Sequence, residues 1–342
     1  MRIGIGLAYW PWIGLDEQIE LARLADRLGL ASVWVAETWG QDAVGILGHL
    51  AAVTDRIELG SAVVQIPARR PTAVAMAAAT LDHLSRGRLR LGLGLSGPQV
   101  SEGWYGVPFT APLARTREYV EIVREALAHR RVEHQGRHFQ IPADKDLGLG
   151  QGKPLKLLME TVDRRVPIYL GVSGPRMVEQ AGQIADGWIP FLFGPDQAEE
   201  MMKPLLRGLA AAGRDRGDID VAPVVPVAID DDLGTARAQV RGFLAFYIGA
   251  MGSAEKNFYV DMAERHGFGA SARRCQQRFL SGDKQGAELE ISDGLVDLVT
   301  LATTPEQLPA RLEQFRAVGV DTLIAVPFGD RTAVVERLAD HI

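Results

Sequence analysis

The sequence predicts an eight-stranded (β/α)8 barrel, and three observations carry that expectation. Strand-like and helix-like segments alternate along most of the chain, as parallel strands joined by crossover helices require. Eight such units follow one another in order, enough to close a sheet with no exposed edge strand. The 342 residues are 47% hydrophobic, ample for one large core. An open doubly wound sheet is the competing topology and accommodates five or six strands more comfortably than eight. No linker or short repeat interrupts the pattern, so one domain spanning 1–342 is expected.

The elements follow from local pattern. A first strand is read at Arg2 to Ala8. A helix follows from about Asp16 to Leu28, with Leu15, Ile19, Ala22, Ala25 and Leu28 stepping by three or four along one face and Gly29 as its stop. Strand Ser32 to Glu37 precedes a helix from about Asp42 to Val53, and strand Ile57 to Gln65 precedes a helix from Pro71 to Leu84. The fourth strand, Leu89 to Leu95, leads to a long helix from about Pro112 to Ala128. The fifth, Val166 to Gly171, leads to Pro175 to Ala185, and the sixth, Trp188 to Phe193, to Asp196 to Ala212. The seventh, Asp220 to Ile229, leads to Thr235 to Ala250. In the last unit Thr304 reads as an N-cap, with Pro305 in the first turn and Gln307 completing a capping box. Leu308, Leu312, Phe315 and Val318 form its apolar face, then come the strand Thr322 to Val326 and a final helix.

Two stretches break the rhythm. Residues 130 to 165 contain a hairpin, Arg131 to Ile141, turning at Gln135-Gly136, and a segment bearing Gly148, Gly150 and Gly152. Residues 252 to 300 read as extra helices. They are expected as insertions after strands four and seven, on the C-terminal face where barrel active sites form.

Composition excludes several functions. A net charge of −6, with no basic stripe beyond Arg130-Arg131, argues against a nucleic-acid partner. Cys275 is the single cysteine, so no internal disulfide or zinc framework is possible, and it reads as a packed thiol. The seven histidines show no metal spacing, and His134 and His138 are expected at the surface of the hairpin. No metal is expected. The chain opens directly on a strand, and no apolar run is long enough to span a bilayer, so a cytoplasmic protein free of membrane partners is expected.

Strand C-termini should supply the site. Leu170-Gly171-Val172-Ser173-Gly174-Pro175-Arg176 combines small residues, a helix opening at Pro175 and a first-turn arginine, which the macrodipole disfavours unless an anion is near. That suits a phosphate; a tight turn with a solvated arginine fits the same residues. Gly92-Leu93-Gly94-Leu95-Ser96-Gly97 is not a dinucleotide fingerprint, because the third glycine is out of register and no helix opens directly afterwards. It suits either a glycine-lined approach to a flat ring or close barrel packing. Glu37, at a strand end among apolar residues, is a candidate for proton handling or a structural acid capping the next turn. Trp10, Trp12, Trp39 and Trp104 stand in strand-end loops where they could wall a planar cofactor or simply pack. No GxSxG elbow is present.

These residues resemble the luciferase-like monooxygenase superfamily, and in particular its coenzyme F420-dependent branch, which includes the methylenetetrahydromethanopterin reductases. The resemblance spans essentially the whole chain. It rests on Val33-Trp34-Val35-Ala36-Glu37, on Leu59-Gly60-Ser61-Ala62-Val63 followed by Pro71, and on Leu81-Asp82-His83-Leu84-Ser85-Arg86-Gly87-Arg88 leading to Gly92-Leu93-Gly94. It rests also on Ser173-Gly174-Pro175-Arg176 and Ala185-Asp186-Gly187-Trp188. The resemblance implies a barrel with insertions, often a homodimer, with a deazaflavin ring deep in the barrel mouth and a small organic molecule as hydride partner. It implies a non-proline cis peptide at Ala62-Val63, cofactor contacts there and at Gln65, and further contacts at Ser96, Gly97 and Ser101. It places the cofactor phosphate on Gly171, Val172, Ser173, Gly174, Arg176 and Met177. The chain departs from the family where several members carry Asp-His at the end of the second strand. Here Glu37 and Thr38 stand in those places, and Thr38 is a poor proton donor. FMN with monooxygenase chemistry is the alternative cofactor reading, and a non-catalytic flavin-binding protein is the alternative of another class.

Overall fold

In this computed structural model, which describes residues 1–9, 11–162 and 165–342, the barrel is built from the elements in chain order. The first half comprises β1 (Arg2–Leu7), α1 (Leu15–Leu28), β2 (Ser32–Val35), α2 (Ala43–Val53), β3 (Glu58–Ser61), β4 (Val64–Gln65), α3 (Pro71–Leu84) and β5 (Leu89–Gly94). Next come α4 (Pro98–Gly103), α5 (Pro112–Leu127), the hairpin β6 (His134–Gln135) and β7 (Gln140–Ile141), β8 (Ile168–Leu170), α6 (Pro175–Ile184), β9 (Gly187–Trp188) and α7 (Ala198–Ala211). The rest comprises β10 (Asp220–Val221), β11 (Val224–Ile229), α8 (Leu233–Ala250), α9 (Phe258–Arg265), α10 (Gly269–Leu280), α11 (Lys284–Leu289), α12 (Asp293–Val299), β12 (Leu301–Thr303), α13 (Leu308–Ala317), β13 (Thr322–Pro327) and α14 (Arg331–Ala339).

Parallel pairing runs β9-β8-β5-β3-β2-β1-β13-β11, and the stretch 220–229 closes the ring. Asp220 and Val221 pair with Gly187 and Trp188, while Val224 to Val227 pair with Ile324 to Pro327. The strands are buried on both faces, as β1 shows along all but its first residue, because helices cover a parallel sheet outside and side chains fill it inside. Gly29 ends α1 in the left-handed conformation, at φ 86°, its N–H bonded back to Ala25.

Charged residues plug the N-terminal end. Arg2 bonds Glu58 at 3.2 Å, Arg90 donates to the Tyr169 hydroxyl at 2.8 Å, and that hydroxyl donates to Asp220 at 2.8 Å. Above this layer Trp34, Tyr169, Ile189, Ala222 and Ile324 pack together. The barrel is therefore filled from below and opens only at its C-terminal end.

Three features differ from the sequence expectations. The 130–165 stretch follows α5 and so leaves the N-terminal end of the barrel, where the Val162 N–H meets Asp82 near the end of α3. It does not fall on the C-terminal face, because α5 has already carried the chain back down. Second, the short strand β12 was unforeseen in the sequence. Helix α8 packs on β11 and β12 as well as on α10, α11 and α12, and β12 returns the chain to Val227–Ile229 before α13 descends. Third, the Thr304 capping box is not formed. Thr304 accepts the Gln307 and Leu308 N–H groups through its carbonyl, and α13 starts at Leu308 with no side-chain cap.

Helices α6 and α7 approach closely through two glycines. A Cβ on Gly208 would collide with the Glu179 carbonyl, and one on Gly182 would meet the Leu209 nitrogen at 2.9 Å. Backbone cannot yield as a flexible side chain can. Gly208→Ala is expected to cost about 2 kcal/mol, read as a lower melting temperature in a thermal denaturation scan. Gly217→Ala, where an added methyl meets nothing within 4 Å, serves as the matched control.

Candidate active site

A cavity of about 550 Å³ opens at the C-terminal end of the barrel. Around half of its rim, from β2 to β8, the lining is small or polar: Glu37 and Thr38, Ala62 and Val63, Gln65, Ser96 and Gly97, then Gly171 to Gly174 and Met177.

The Ala62-Val63 peptide is cis, as the family resemblance implies. The neighbouring glycines are there for packing. A Cβ on Gly94 would stand 2.5 Å from the Val63 Cγ2, one on Gly171 2.9 Å from its Cγ1, and one on Gly92 would collide with the Ser61 carbonyl. Ser61 also ties the strands, donating to the Gly92 carbonyl and accepting its N–H, both at 2.9 Å.

The Gly171–Ser173 stretch is held from both sides. The Gly171 N–H bonds the Leu93 carbonyl at 2.9 Å, and the Trp188 indole N–H bonds the Val172 carbonyl at 2.9 Å. Helix α6 then opens with Gly174 as N-cap, no side-chain cap and Pro175 in its first turn. The first N–H groups of a helix have no partner within it, which leaves those of Arg176 and Met177 for an anion. A Cβ on Gly174 would meet nothing within 4 Å. Arg176 is exposed, does not line the cavity, and makes no ion pair among the described residues.

Glu37 is held rather than free. Its carboxylate accepts from Arg69 at 2.6 Å and from the N–H groups of Gln65 and Ala43 at 3.2 Å each. Its side chain is 3% exposed. Arg69 also pairs with Asp42, and burial and these two carboxylates act on its guanidinium, with a net upward shift. These three donors fix the position of the carboxylate. The Gln65 amide donates to the Glu37 carbonyl at 3.1 Å and to the Ser96 hydroxyl at 3.3 Å. Its own oxygen, Oε1, is buried without a partner among the described residues.

Ser101 is not in the lining. Its hydroxyl donates to the Val107 carbonyl at 2.7 Å and closes the turn after α4, while Gln99 and Val100 face the cavity instead. Of the tryptophans, Trp39 lines the mouth, Trp12 packs among Tyr9, Phe243 and Phe246, and Trp104 is exposed away from the cavity; Trp10 lies outside the described residues. His134 and His138 are half-buried in the hairpin, far from the site, and Cys275 is fully buried, its thiol pushed up to about 12 by desolvation. Among the described residues no three His, Cys, Asp or Glu side chains group to hold a metal, and no helix is long and apolar enough to cross a membrane.

The contribution of α8 to the other half of the rim was not foreseen. Tyr9 after β1, Phe191 after β9, and Phe243, Tyr247 and Tyr259 from α8 and α9 form an aromatic wall. Phe191 and Tyr247 stand 4.5 Å apart between centroids, Tyr247 and Tyr259 5.1 Å. The signal was the spacing of Phe243, Phe246 and Tyr247 within one helix, which periodicity cannot tell from an ordinary core face.

Fold and site together define a (β/α)8-barrel protein with a cavity at the C-terminal end, glycine-lined on one side and aromatic on the other. The chain belongs to the luciferase-like monooxygenase family, whose model matches residues 4–322. It is 40% identical over 342 residues to a Mycobacterium tuberculosis protein assigned as a coenzyme F420-dependent oxidoreductase, with 99% of this chain and 98% of the relative covered. It is 27% identical to the 5,10-methylenetetrahydromethanopterin reductase of Archaeoglobus fulgidus, with 98% of each chain covered. The solved F420-dependent tetrahydromethanopterin reductase of Methanopyrus kandleri superposes with a TM-score of 0.85 at 23% identity, covering 100% of this chain and 98% of that one. An F420-dependent secondary alcohol dehydrogenase gives 0.80 at 18% identity, covering 100% and 98%.

The two carboxylates around Arg69 should differ in worth. Arg69→Met strands the buried Glu37 charge and is expected to cost about 3 kcal/mol. Asp42 is 58% exposed and caps α2, a task asparagine also performs, so Asp42→Asn should cost under about 1 kcal/mol. Chemical denaturation of both variants measures the contrast.

Proposed function

We propose that the protein is an F420-dependent oxidoreductase that moves a hydride between the deazaflavin and a small organic substrate. The observation that carries this reading is the cradle from Gly171 to Met177, with its free helix N-terminus and open Gly174, beside a cavity large enough for a tricyclic ring. The buried, unpartnered Gln65 Oε1 supports it: a flat heterocycle with a ring N–H would satisfy that acceptor. The activities assigned to relatives that align over nearly their whole length point the same way.

The cofactor supplies hydride chemistry when bound. The chain's own residues position and exclude. Gly171 to Gly174 and the first turn of α6 would hold the phosphate, with Arg176 adding positive charge from outside. Val63 would present its side of the strand-end bulge to the ring, and Gln65, Ser96 and Gly97 would border it. Glu37 is a positioning residue: through Gln65 and Arg69 it fixes the wall against which the ring would lie.

The expected homodimer also has support. The exposed positions of α2 and α3, Gly45, His49, Ala52, Ala73, Met76, Thr80, His83 and Leu84, carry no acidic, lysine or arginine side chain. A face of that kind suits burial against a second copy.

Titration of the apoprotein with F420 and, separately, FMN, followed by cofactor fluorescence, tests the reading. Micromolar binding of F420 with much weaker FMN is expected; preference for FMN would place the protein among the flavin monooxygenases. Gly174→Asp puts a carboxylate where the phosphate would sit and should weaken F420 more than tenfold while leaving the melting temperature unchanged. Glu37→Gln should keep turnover within about tenfold, whereas loss of a general acid costs about 10²- to 10⁴-fold. A steady-state kcat comparison on any reduced substrate separates the two.

A further inference from the structure

The aromatic half of the cavity carries the hydroxyls of Tyr9, Tyr247 and Tyr259, and two of these form a pair. The Tyr9 and Tyr247 hydroxyls bond each other at 2.9 Å, and both rings line the cavity. Two hydroxyls carry two protons, and the bond between them uses one. Neither hydroxyl has another hydrogen-bond partner among the described residues. One O–H therefore has its proton free for whatever occupies the chamber. Around the pair stand Phe191, Phe243 and Tyr259, while the charged lining residues Lys256, Asp261 and Arg265 are exposed at the mouth. At the β2 end the lining offers Thr38, whose hydroxyl is a poor proton donor.

We propose that the Tyr9–Tyr247 hydroxyl pair anchors the substrate oxygen, and that the reacting end of the substrate is a neutral, apolar group bearing one carbonyl or the corresponding alcohol. This rests on the reading of the opposite half of the cavity as the F420 site. Desolvation holds both phenols well above their ordinary range, so at neutral pH they donate a hydrogen bond rather than present a charge. In the reducing direction the bound cofactor would supply hydride chemistry at the carbonyl carbon, and the pair would supply the proton. The π pair of the C=O bond moves to oxygen, which takes the tyrosine proton. The tyrosinate regains a proton through its partner hydroxyl from solvent at the mouth. Any charge on a larger substrate would lie near Lys256, Asp261 and Arg265, beyond the reacting group.

The test uses a chromophore rather than turnover. 4-(Dimethylamino)benzaldehyde absorbs further to the red when its carbonyl oxygen accepts a hydrogen bond. It is titrated into the full-length protein loaded with oxidised F420, so that no reaction follows, and difference spectra are recorded. The native protein should give a saturable red shift. Tyr9→Phe or Tyr247→Phe alone leaves one donor and should retain the shift in weakened form. The double variant should lose the shift and bind about tenfold more weakly, the loss of one hydrogen bond of about 1.4 kcal/mol. F420 affinity and melting temperature, measured on the same samples, should be unchanged, which separates a lost anchor from a collapsed wall. No red shift in the native protein, or a shift and affinity unchanged in a folded double variant, overturns the assignment. Absence of F420 binding by the native protein overturns instead the cofactor reading, and this assignment falls with it.

Discussion

The site depends on one steric constraint: β3, β5 and β8 meet where almost no side chain fits between them. Gly92 lies against the Ser61 carbonyl, and Gly94 and Gly171 both receive Val63. A methyl group on any of the three would push the strands apart or displace the bulge. Because the strands close in at this point, the chain beyond Ser61 turns its backbone toward the cavity. The ends of β5 and β8 then lie side by side, and the Leu93 carbonyl pins Gly171 just before α6 opens. The glycine-lined half of the cavity and the open start of α6 are thus two consequences of one seam.

The opposite wall has a different physical basis. There the chain brings its longest helix, α8, to the cavity. Trp12, Phe191, Phe243, Phe246, Tyr247 and Tyr259 interlock with centroids about 4.5–6 Å apart, in edge-on and tilted arrangements that each add roughly 1 kcal/mol beyond area burial. Such a wall keeps its shape when a ligand arrives. The cavity is asymmetric as a result: backbone and small residues on the cofactor side, rigid rings on the other. Little reorganisation is left to be made at binding, which favours preorganised chemistry over induced closure.

Much of this was legible in the sequence, for identifiable reasons. Alternating segments gave the barrel because a 2.0 period and a 3.6 period differ strongly over ten residues. The place of Gly171 to Gly174 in the lining was legible because small residues and a helix-opening proline coincide at one strand end. What escaped notice depended on topology. The 130–165 stretch was expected at the site because it follows the fourth strand in sequence, but α5 intervenes and reverses the direction of the chain. Ser101 looked like a cofactor contact by alignment, yet one turn of α4 points its hydroxyl at Val107. The aromatic wall was invisible because Phe243 and Tyr247 have ordinary core spacing, and only the placement of α8 turns that face toward the cavity.

Glu37 shows how burial alone misleads. A carboxylate among apolar residues at a strand end reads as a group with a raised pKa, and desolvation would do this if it acted alone. Here the same burial brings Arg69 to 2.6 Å and two backbone N–H groups within reach. All three are donors, so the carboxylate is anchored in place. Glu37 thus ties the end of β2 to Ala43, Gln65 and Arg69, on the glycine-lined side of the cavity. The phenol hydroxyls of the lining, those of Tyr9, Tyr247 and Tyr259, lie across from it on the aromatic side, so the two walls offer different groups to an occupant.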